Sequence, residues 1–444
     1  YEILIGLVGS EMCIRDSKEY PLFTVIIPQK DRAEYLIHTL RTCMIQDYPN
    51  FEVIVGDDCS EDNSVEMVKE LQKKDPRIKL IAHDHHVGMR DNFETALAAV
   101  RPGYVMALGG DDGLTPGCIW RMYEIIKETG AELLTWRTAG YAYPMAETAM
   151  SKFSIKKRKF DGVKMVKSAD FLNKIAKTFI YLVEDCPMFY VKGVASTKLV
   201  DKVKSRTKDH CFYYCPTPDG FSGVVLAGEV EEYAYTCEPL SISGDSSKSQ
   251  GRNYKRTDEK SKKEAAQFFN DNIRRTMHAD LASQQYSPLV TLMTADYLLT
   301  ARDLPGWPGK FEMFTYKNLI KKTFSFLVNS TFSNEVLVRE MKILREIAKQ
   351  HGELDYFNYM LKTTKRKTDQ KDVIDGFFIT SNVFIFNGEQ LGIKNIYDAA
   401  IATPFAYELC NKVSVKSIFN YFKRFVRVAI NTRSYKKINF PTID

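Results

Sequence analysis

The chain has 444 residues, 44% hydrophobic and 27% charged, with a net charge of +6; this is the make-up of a folded globular protein long enough for two or three domains. No run of about eighteen apolar residues occurs, so a membrane-crossing helix is not expected, and the basic excess is too small and dispersed to point to nucleic acid. Nine cysteines without a C-x-x-C pair argue against a zinc site or a disulfide framework and for a reducing, cytoplasmic setting.

Residues 1–17, YEILIGLVGSEMCIRDS, lack the basic start of a signal peptide and are interrupted by Glu2 and Glu11. They resemble the in-frame translation of a sequencing-library adapter, so we expect them to stand outside the fold and the native start to be missing. From Phe23, FTVIIP reads as a β-branched strand ended by Pro28. AEYLIHTLRTCMIQ (33–46) has helical spacing, and FEVIVGDD (51–58) reads as a second buried strand. SVEMVKELQKK (64–74) is an amphipathic helix with Ser60 or Asp62 as its cap. IKLIAH (78–83) gives a third strand, residues 91–100 a helix, and GYVMAL (103–108) a fourth strand. This alternation predicts an α/β fold with a mostly parallel sheet and helices on both faces. Ligands in such sheets sit at the carboxyl ends of the strands.

Those ends are polar. Gln29, Lys30, Asp31 and Arg32 follow the first strand; Asp57, Asp58, Cys59, Ser60, Glu61 and Asp62 follow the second. His83 to Arg90 follow the third, and ALGGDDGLTP (107–116) ends the fourth. Asp111 and Asp112 side by side repel, and desolvating them is costly; a divalent cation relieves both problems. A plain Gly-, Asp- and Pro-containing turn is the alternative. Neighbouring residues of the run His83-Asp84-His85-His86 point to opposite faces of a strand end, which argues against a metal cluster there.

Taken in order, Pro28-Gln29-Lys30-Asp31-Arg32, YPNFEVIVGDDCSEDNS (48–64) and GGDDGLTP (109–116) resemble the successive motifs of family 2 glycosyltransferases with the GT-A fold. Residues 85–117 resemble the stretch that joins the ribose and metal motifs, and residues 216–249 the segment with the catalytic base. The likeness covers residues 20–250. It implies transfer of a sugar, with inversion, from a nucleotide-diphosphate sugar to an acceptor hydroxyl. A UDP-sugar is the expected donor, a glycan or lipid-linked acceptor the expected partner, and Mg2+ or Mn2+ the expected cofactor, in surface polysaccharide or glycolipid synthesis. Implied roles follow. Asp58 hydrogen-bonds the nucleobase, with Asp57 beside it. Pro28, Gln29 and Asp31 line the nucleotide, and Arg90, with Asn92 near it, pairs with phosphate. Asp112 ligates the metal with Asp111 alongside, and Asp219, in Pro218-Asp219-Gly220, is the general base. Gly244 to Ser249 resemble a loop closing the site, where Lys248 reaches toward phosphate.

The chain departs from the family pattern at Lys30, where a stacking aromatic is usual, at Asp31, where Asn is usual, and at Gly109–Gly110, where another aspartate often precedes the pair. Two rivals remain. A sugar-phosphate nucleotidyltransferase would show a glycine-rich loop after the first strand, and residues 28–32 hold no glycine. A catalytically silent GT-A-like binding subunit would explain Gly109–Gly110 and Lys30.

Residues 18–250 are expected to form the transferase domain and 251–444 a mainly α-helical extension. KKEAAQFFNDNIRRTMHADLA (262–282) and SNEVLVREMKILREIAKQHG (333–352) carry helical spacing. Gly306-Trp307-Pro308-Gly309 and TKRKTDQKD (364–372) interrupt it. The tail SVKSIFNYFKRFVRVAINTRSYKK (414–437) sets Phe419, Phe422 and Phe425 on one stripe, flanked by Lys423, Arg424 and Arg427. Such a helix suits either a packed core or peripheral contact with the inner face of an anionic membrane.

Overall fold

The computed structural model describes residues 20–145, 150–215, 217–249, 263, 276–330, 332–364, 378–379 and 382–412. The adapter-like segment, most of the polar boundary near residue 250 and the basic tail 414–437 lie outside the described residues.

Strands β1 (Phe23–Gln29), β2 (Phe51–Asp57), β3 (Ile78–Ala82) and β4 (Tyr104–Ala107) run parallel in the order β3-β2-β1-β4. Every residue of β1 and β2 is buried, as expected of strands covered on both faces. Helices α1 (Ala33–Met44), α2 (Ser64–Lys74) and α3 (Met89–Ala98) make the crossovers. Side chains alternate across the sheet. Val25, Ile27, Val53 and Val55 pack with Leu36, Leu40 and Val68 of α1 and α2. Ile26 and Ile54 pack with Phe93, Ala96 and Leu97 of α3 on the other face.

Beyond β4 the chain forms β5 (Gly113–Leu114), α4 (Cys118–Thr129), β6 (Leu133–Trp136), β7 (Ala139–Ala142), β8 (Lys152–Lys156) and β9 (Val163–Lys167). Then come α5 (Ser168–Thr178), β10 (Gly193–Ser196), α6 (Thr197–Arg206), α7 (Pro218–Gly228), β11 (Glu232–Thr236) and β12 (Ser241–Asp245). The first sheet continues from β4 as β10-β6-β11-β9. Here β10 and β9 run antiparallel to their neighbours, so the expected parallel order holds for the first half of the sheet and gives way to a mixed second half. A second sheet, which the sequence reading does not anticipate, has the order β13-β14-β8-β7-β12-β5, with β13 (Phe378–Ile379) and β14 (Val383–Asn387) as its last strands.

The extension is helical, as expected, over α8 (Val290–Arg302), α9 (Tyr316–Val328), α10 (Asn334–Gln350) and α11 (Leu354–Thr363). Helix α8 is buried from Thr291 to Ala301. The last described part is not a separate helical body. Strand β14 pairs with β8, and α12 (Ile396–Lys412) sets Ile396, Ala399 and Tyr407 among Tyr35, Tyr141 and Tyr143 of the first part.

Trp307 ties the helical part to the core of the first. Its indole N–H donates to the Val225 carbonyl at 3.0 Å, and its ring lies over Gly228, where a Cβ would approach to 2.0 Å. Gly228→Ala therefore overpacks the joint and should cost about 1–3 kcal/mol. Thermal unfolding should show a lowered midpoint, and an unchanged one would contradict this seating of Trp307.

Candidate functional site

In the order β3-β2-β1-β4, the connections leave β1 in opposite directions, and the crevice of an open α/β sheet lies at that switch, between the ends of β1 and β4. The chain after β4 is a buried turn, Gly109 to Leu114, and its backbone polar groups must be paired inside the protein. Helix α1 and the residues just after it supply the partners, one turn apart. Thr39 Oγ1 donates to the carbonyls of Gly110 at 3.0 Å and Asp112 at 2.7 Å. Thr42 Oγ1 accepts from the Leu114 N–H at 3.0 Å, and Gln46 Nε2 donates to the Thr115 carbonyl at 3.0 Å.

The two carboxylates of this turn have different partners. Asp112 accepts from the Gly109 N–H at 2.7 Å and the Gly244 N–H at 2.8 Å, one on each oxygen. Burial first, and the Asp111 charge second, push its pKa up to about 7. Asp111 pairs with the Arg32 guanidinium at 3.0 Å and accepts from the hydroxyls of Ser246 at 2.6 Å and Ser249 at 3.2 Å. Arg32 also donates to the Lys248 carbonyl at 2.8 Å. Residues 246–249 thus cover Asp111, and Lys248 contributes its carbonyl here. Gly244 is required by this closeness, since a Cβ there would stand 1.7 Å from the Asp111 carbonyl oxygen.

On the other side of β1, Gln29 Nε2 donates to Asp57, which also accepts the Ser60 N–H at 2.9 Å and its hydroxyl at 2.8 Å. Asp31 sits at φ +51°; its N–H donates to Ser60 Oγ at 2.9 Å, and its carboxylate accepts the Glu61 N–H at 2.7 Å. Pro28 is buried in β1 opposite Gly56 of β2. Asp58 accepts from the N–H groups of Val87 at 2.7 Å and Gly88 at 3.2 Å, and His86 Nδ1 lies 2.8 Å from its Oδ2. Lys30 Nζ is 3.1 Å from the same ring nitrogen. Asn92 Nδ2 donates to the Gly56 carbonyl at 3.0 Å. Arg90, about half exposed, is turned to Asp91 at 2.7 Å and does not join this cluster.

Asp219 lies in the first turn of α7. Its carboxylate accepts the Gly220 N–H at 2.8 Å and the Tyr181 hydroxyl at 3.4 Å, and burial pushes its pKa up. Tyr190 lies against the turn: a Cβ on Gly109 would stand 2.4 Å from its hydroxyl oxygen. Burial pushes its hydroxyl well above the ordinary range, with Asp112, Asp111 and, more weakly, Asp219 adding to the shift while Arg32 opposes it. The structure therefore brings Pro28, Gln29, Asp31, Asp57, Asp58, Asp111 and Asp112 to one edge of the sheet and places Asp219 in the first turn of α7, beside Tyr181. Arg32, Tyr181 and Tyr190 are site residues that the sequence reading does not assign. Arg32 carries a signal in its place after β1; the two tyrosines stand in no motif.

Among the described residues, no group of three or more His, Cys, Asp or Glu side chains is arranged to hold a metal ion. The donor set fits a cation held through few protein oxygens, with phosphate oxygens completing the shell. A cation would share these carboxylates with the donors already on them: two backbone N–H groups on Asp112, and Arg32, Ser246 and Ser249 on Asp111. Eight described cysteines are free thiols, and no described helix is long and apolar enough to cross a membrane.

Residues 24–180 match the family described as Glycosyl transferase family 2. The chain is 26% identical over 155 residues, 35% of its length, to a GalNAc(5)-diNAcBac-PP-undecaprenol beta-1,3-glucosyltransferase of Campylobacter jejuni, of which that covers 47%. It is 28% identical over 113 residues, 26% of its length, to the succinoglycan biosynthesis protein ExoO of Rhizobium meliloti, covering 32% of that protein. The chain thus spans about half, or less, of the curated relatives it matches. Among solved structures, S. aureus TarS 1–349 in complex with UDP-GlcNAc aligns over 80% of this chain and 95% of its own, at 15% identity and a TM-score of 0.41.

Asp112→Ala would leave the N–H groups of Gly109 and Gly244 without their acceptor, at about 1–3 kcal/mol each. Its thermal midpoint should fall by several degrees in the absence of any ligand. A midpoint equal to that of the parent chain would contradict a structural duty for this carboxylate.

Proposed function

We propose, proceeding from the membership of residues 24–180 in glycosyl transferase family 2, that the chain moves a sugar from a nucleotide-diphosphate sugar to an acceptor hydroxyl, with inversion at the anomeric carbon. The observation that carries this reading is the pair of buried carboxylates, Asp111 and Asp112, at the switch point of the sheet, with the Arg32 guanidinium on Asp111. Such a transfer needs positive charge beside the departing diphosphate and a base beside the acceptor hydroxyl.

Arg32 supplies a fixed cation next to Asp111. Asp111 would hold Mg2+ or Mn2+, with Asp112 fixing the turn beneath it; the bound cation would neutralise charge on the diphosphate. Asp58, with the 86–88 turn it organises, forms the base-binding side. An ionised carboxylate has about four acceptor sites, and the three contacts described leave one for a nucleobase N–H. A uracil imide matches that acceptor, so a UDP-sugar is the donor we propose. Pro28, Gln29, Asp31 and Asp57 shape the floor beneath it, held by Ser60. Arg90 reaches phosphate only by leaving Asp91. Asp219 takes the proton of the acceptor hydroxyl, and its raised pKa makes it a stronger base than an ordinary carboxylate.

For the acceptor we propose a lipid-linked glycan met at the inner face of a membrane, in the synthesis of a surface polysaccharide or glycolipid. The printed substrate of the Campylobacter relative, a glycan on PP-undecaprenol, and the succinoglycan role of the Rhizobium relative support that class.

Asp219→Asn tests the reading. It should lower transfer by about 10²–10⁴-fold, the range for losing a general base, while a nucleoside diphosphate still raises the thermal midpoint. In the parent enzyme, transfer should fail on acidification at a pH above the usual carboxylate range, because the base is lost as Asp219 protonates. Full activity in the variant would remove Asp219 from the chemistry.

A further inference from the structure

Tyr190 is a polar group of the cleft that these roles leave unused. Its hydroxyl makes no hydrogen bond among the described residues. A Cβ on Gly109 would stand 2.4 Å from that oxygen, so the phenol tip fills the space directly over the first glycine of the Asp111–Asp112 turn. The ring rests on Phe93, with centroids 6.2 Å apart.

The backbone fixes this placement. The Lys192 N–H donates to the Tyr190 carbonyl at 2.7 Å, around Val191 at φ +63°. That is a γ-turn conformation, strained for a β-branched residue. Strain of this kind persists only where the surroundings over-determine it. Here the Val191 N–H donates to the Ala107 carbonyl at the end of β4 at 2.8 Å, and Ser241 Oγ of β12 donates to the Val191 carbonyl at 2.5 Å. Two strands from two sheets thus hold the turn that aims Tyr190 into the cleft.

We propose that Tyr190 contacts the substrate, its hydroxyl donating a hydrogen bond to the sugar being transferred, over Gly109. The proposal rests on the transferase reading above. The diphosphate would leave on the Asp111 side, and the sugar ring must lie beside it, over the Asp111–Asp112 turn, where the Tyr190 hydroxyl stands against Gly109. A sugar presents hydroxyl oxygens, which accept from a phenol. The side chain that closes position 109 to a carboxylate thereby takes up a polar duty at the same place, so Gly109 does not argue for a silent subunit.

Tyr190→Phe removes one oxygen and keeps the ring on Phe93. The readouts are transfer from sugar nucleotides (glucose, galactose or N-acetylglucosamine forms), binding of UDP, GDP or dTDP, and the thermal midpoint. The expected result is a loss of about tenfold or more in kcat/KM, with nucleoside diphosphate binding and midpoint unchanged. Parental kcat/KM in the variant would overturn the proposal. So would a parallel fall in midpoint and nucleotide binding, which would make Tyr190 a packing residue. A parent chain that neither binds nor transfers with any of these probes would sink the transferase reading, and this proposal with it.

Discussion

Two carboxylates side by side in a dry turn have to be satisfied by the protein itself, and much of the fold answers that demand. Asp112 spends both oxygens on the N–H groups of Gly109 and Gly244. Asp111 is met by Arg32, Ser246 and Ser249. These partners come from the end of β1, from β12 and from the loop after it, so the turn holds only when both sheets are in place. The second sheet delivers Gly244 against the Asp111 carbonyl, and α1 with the residues just after it delivers Thr39, Thr42 and Gln46 to the turn's backbone. The adjacent charges stay expensive even so: burial first, and Asp111 second, push the Asp112 pKa up, and a cation or a guanidinium at Asp111 is favourable.

The helical extension belongs to the same construction. Thr217, just before Asp219, bonds the hydroxyl of Tyr286 at 3.0 Å and that of Tyr297 on α8. Tyr181 and Tyr297 pack edge to face at 5.4 Å, and both crowd Gly220, where a Cβ would meet Tyr297 at 2.3 Å and Tyr181 at 2.7 Å. Asp219, the proposed base, therefore sits at a joint between the sheet domain and the helices that follow it. Its raised pKa is a product of that enclosure more than of any single neighbour.

The first half of this arrangement was legible in the sequence because its signals are local. Continuous apolar strands, helical spacing and polar strand ends gave β1 to β4, their crossovers, and the edge holding Gln29, Asp57, Asp58, Asp111 and Asp112. The rest was not, because it depends on pairings far apart in the chain. Strands β7 and β8 are short and buried only at alternate residues, and β14, with which β8 pairs, lies more than two hundred residues on. The division of labour between Asp111 and Asp112 was equally hidden. The motif marks both, with the metal role placed on Asp112, but only the fold shows that Gly244 reaches Asp112 and Arg32 reaches Asp111. Tyr190 stands in no recognisable motif; the glycine that makes room for it was visible only as a missing acid.

The account's central claim is that this edge of the sheet holds a nucleoside diphosphate with a cation at Asp111. Thermal unfolding of the parent chain and of Asp111→Asn against UDP, GDP and dTDP, each with and without Mn2+, tests it most directly, since a ligand bound only by the folded state raises the midpoint. The account predicts that one nucleotide stabilises the parent chain, that Mn2+ enlarges the shift, and that Asp111→Asn loses the enlargement. No shift with any nucleotide, with or without Mn2+, would contradict it.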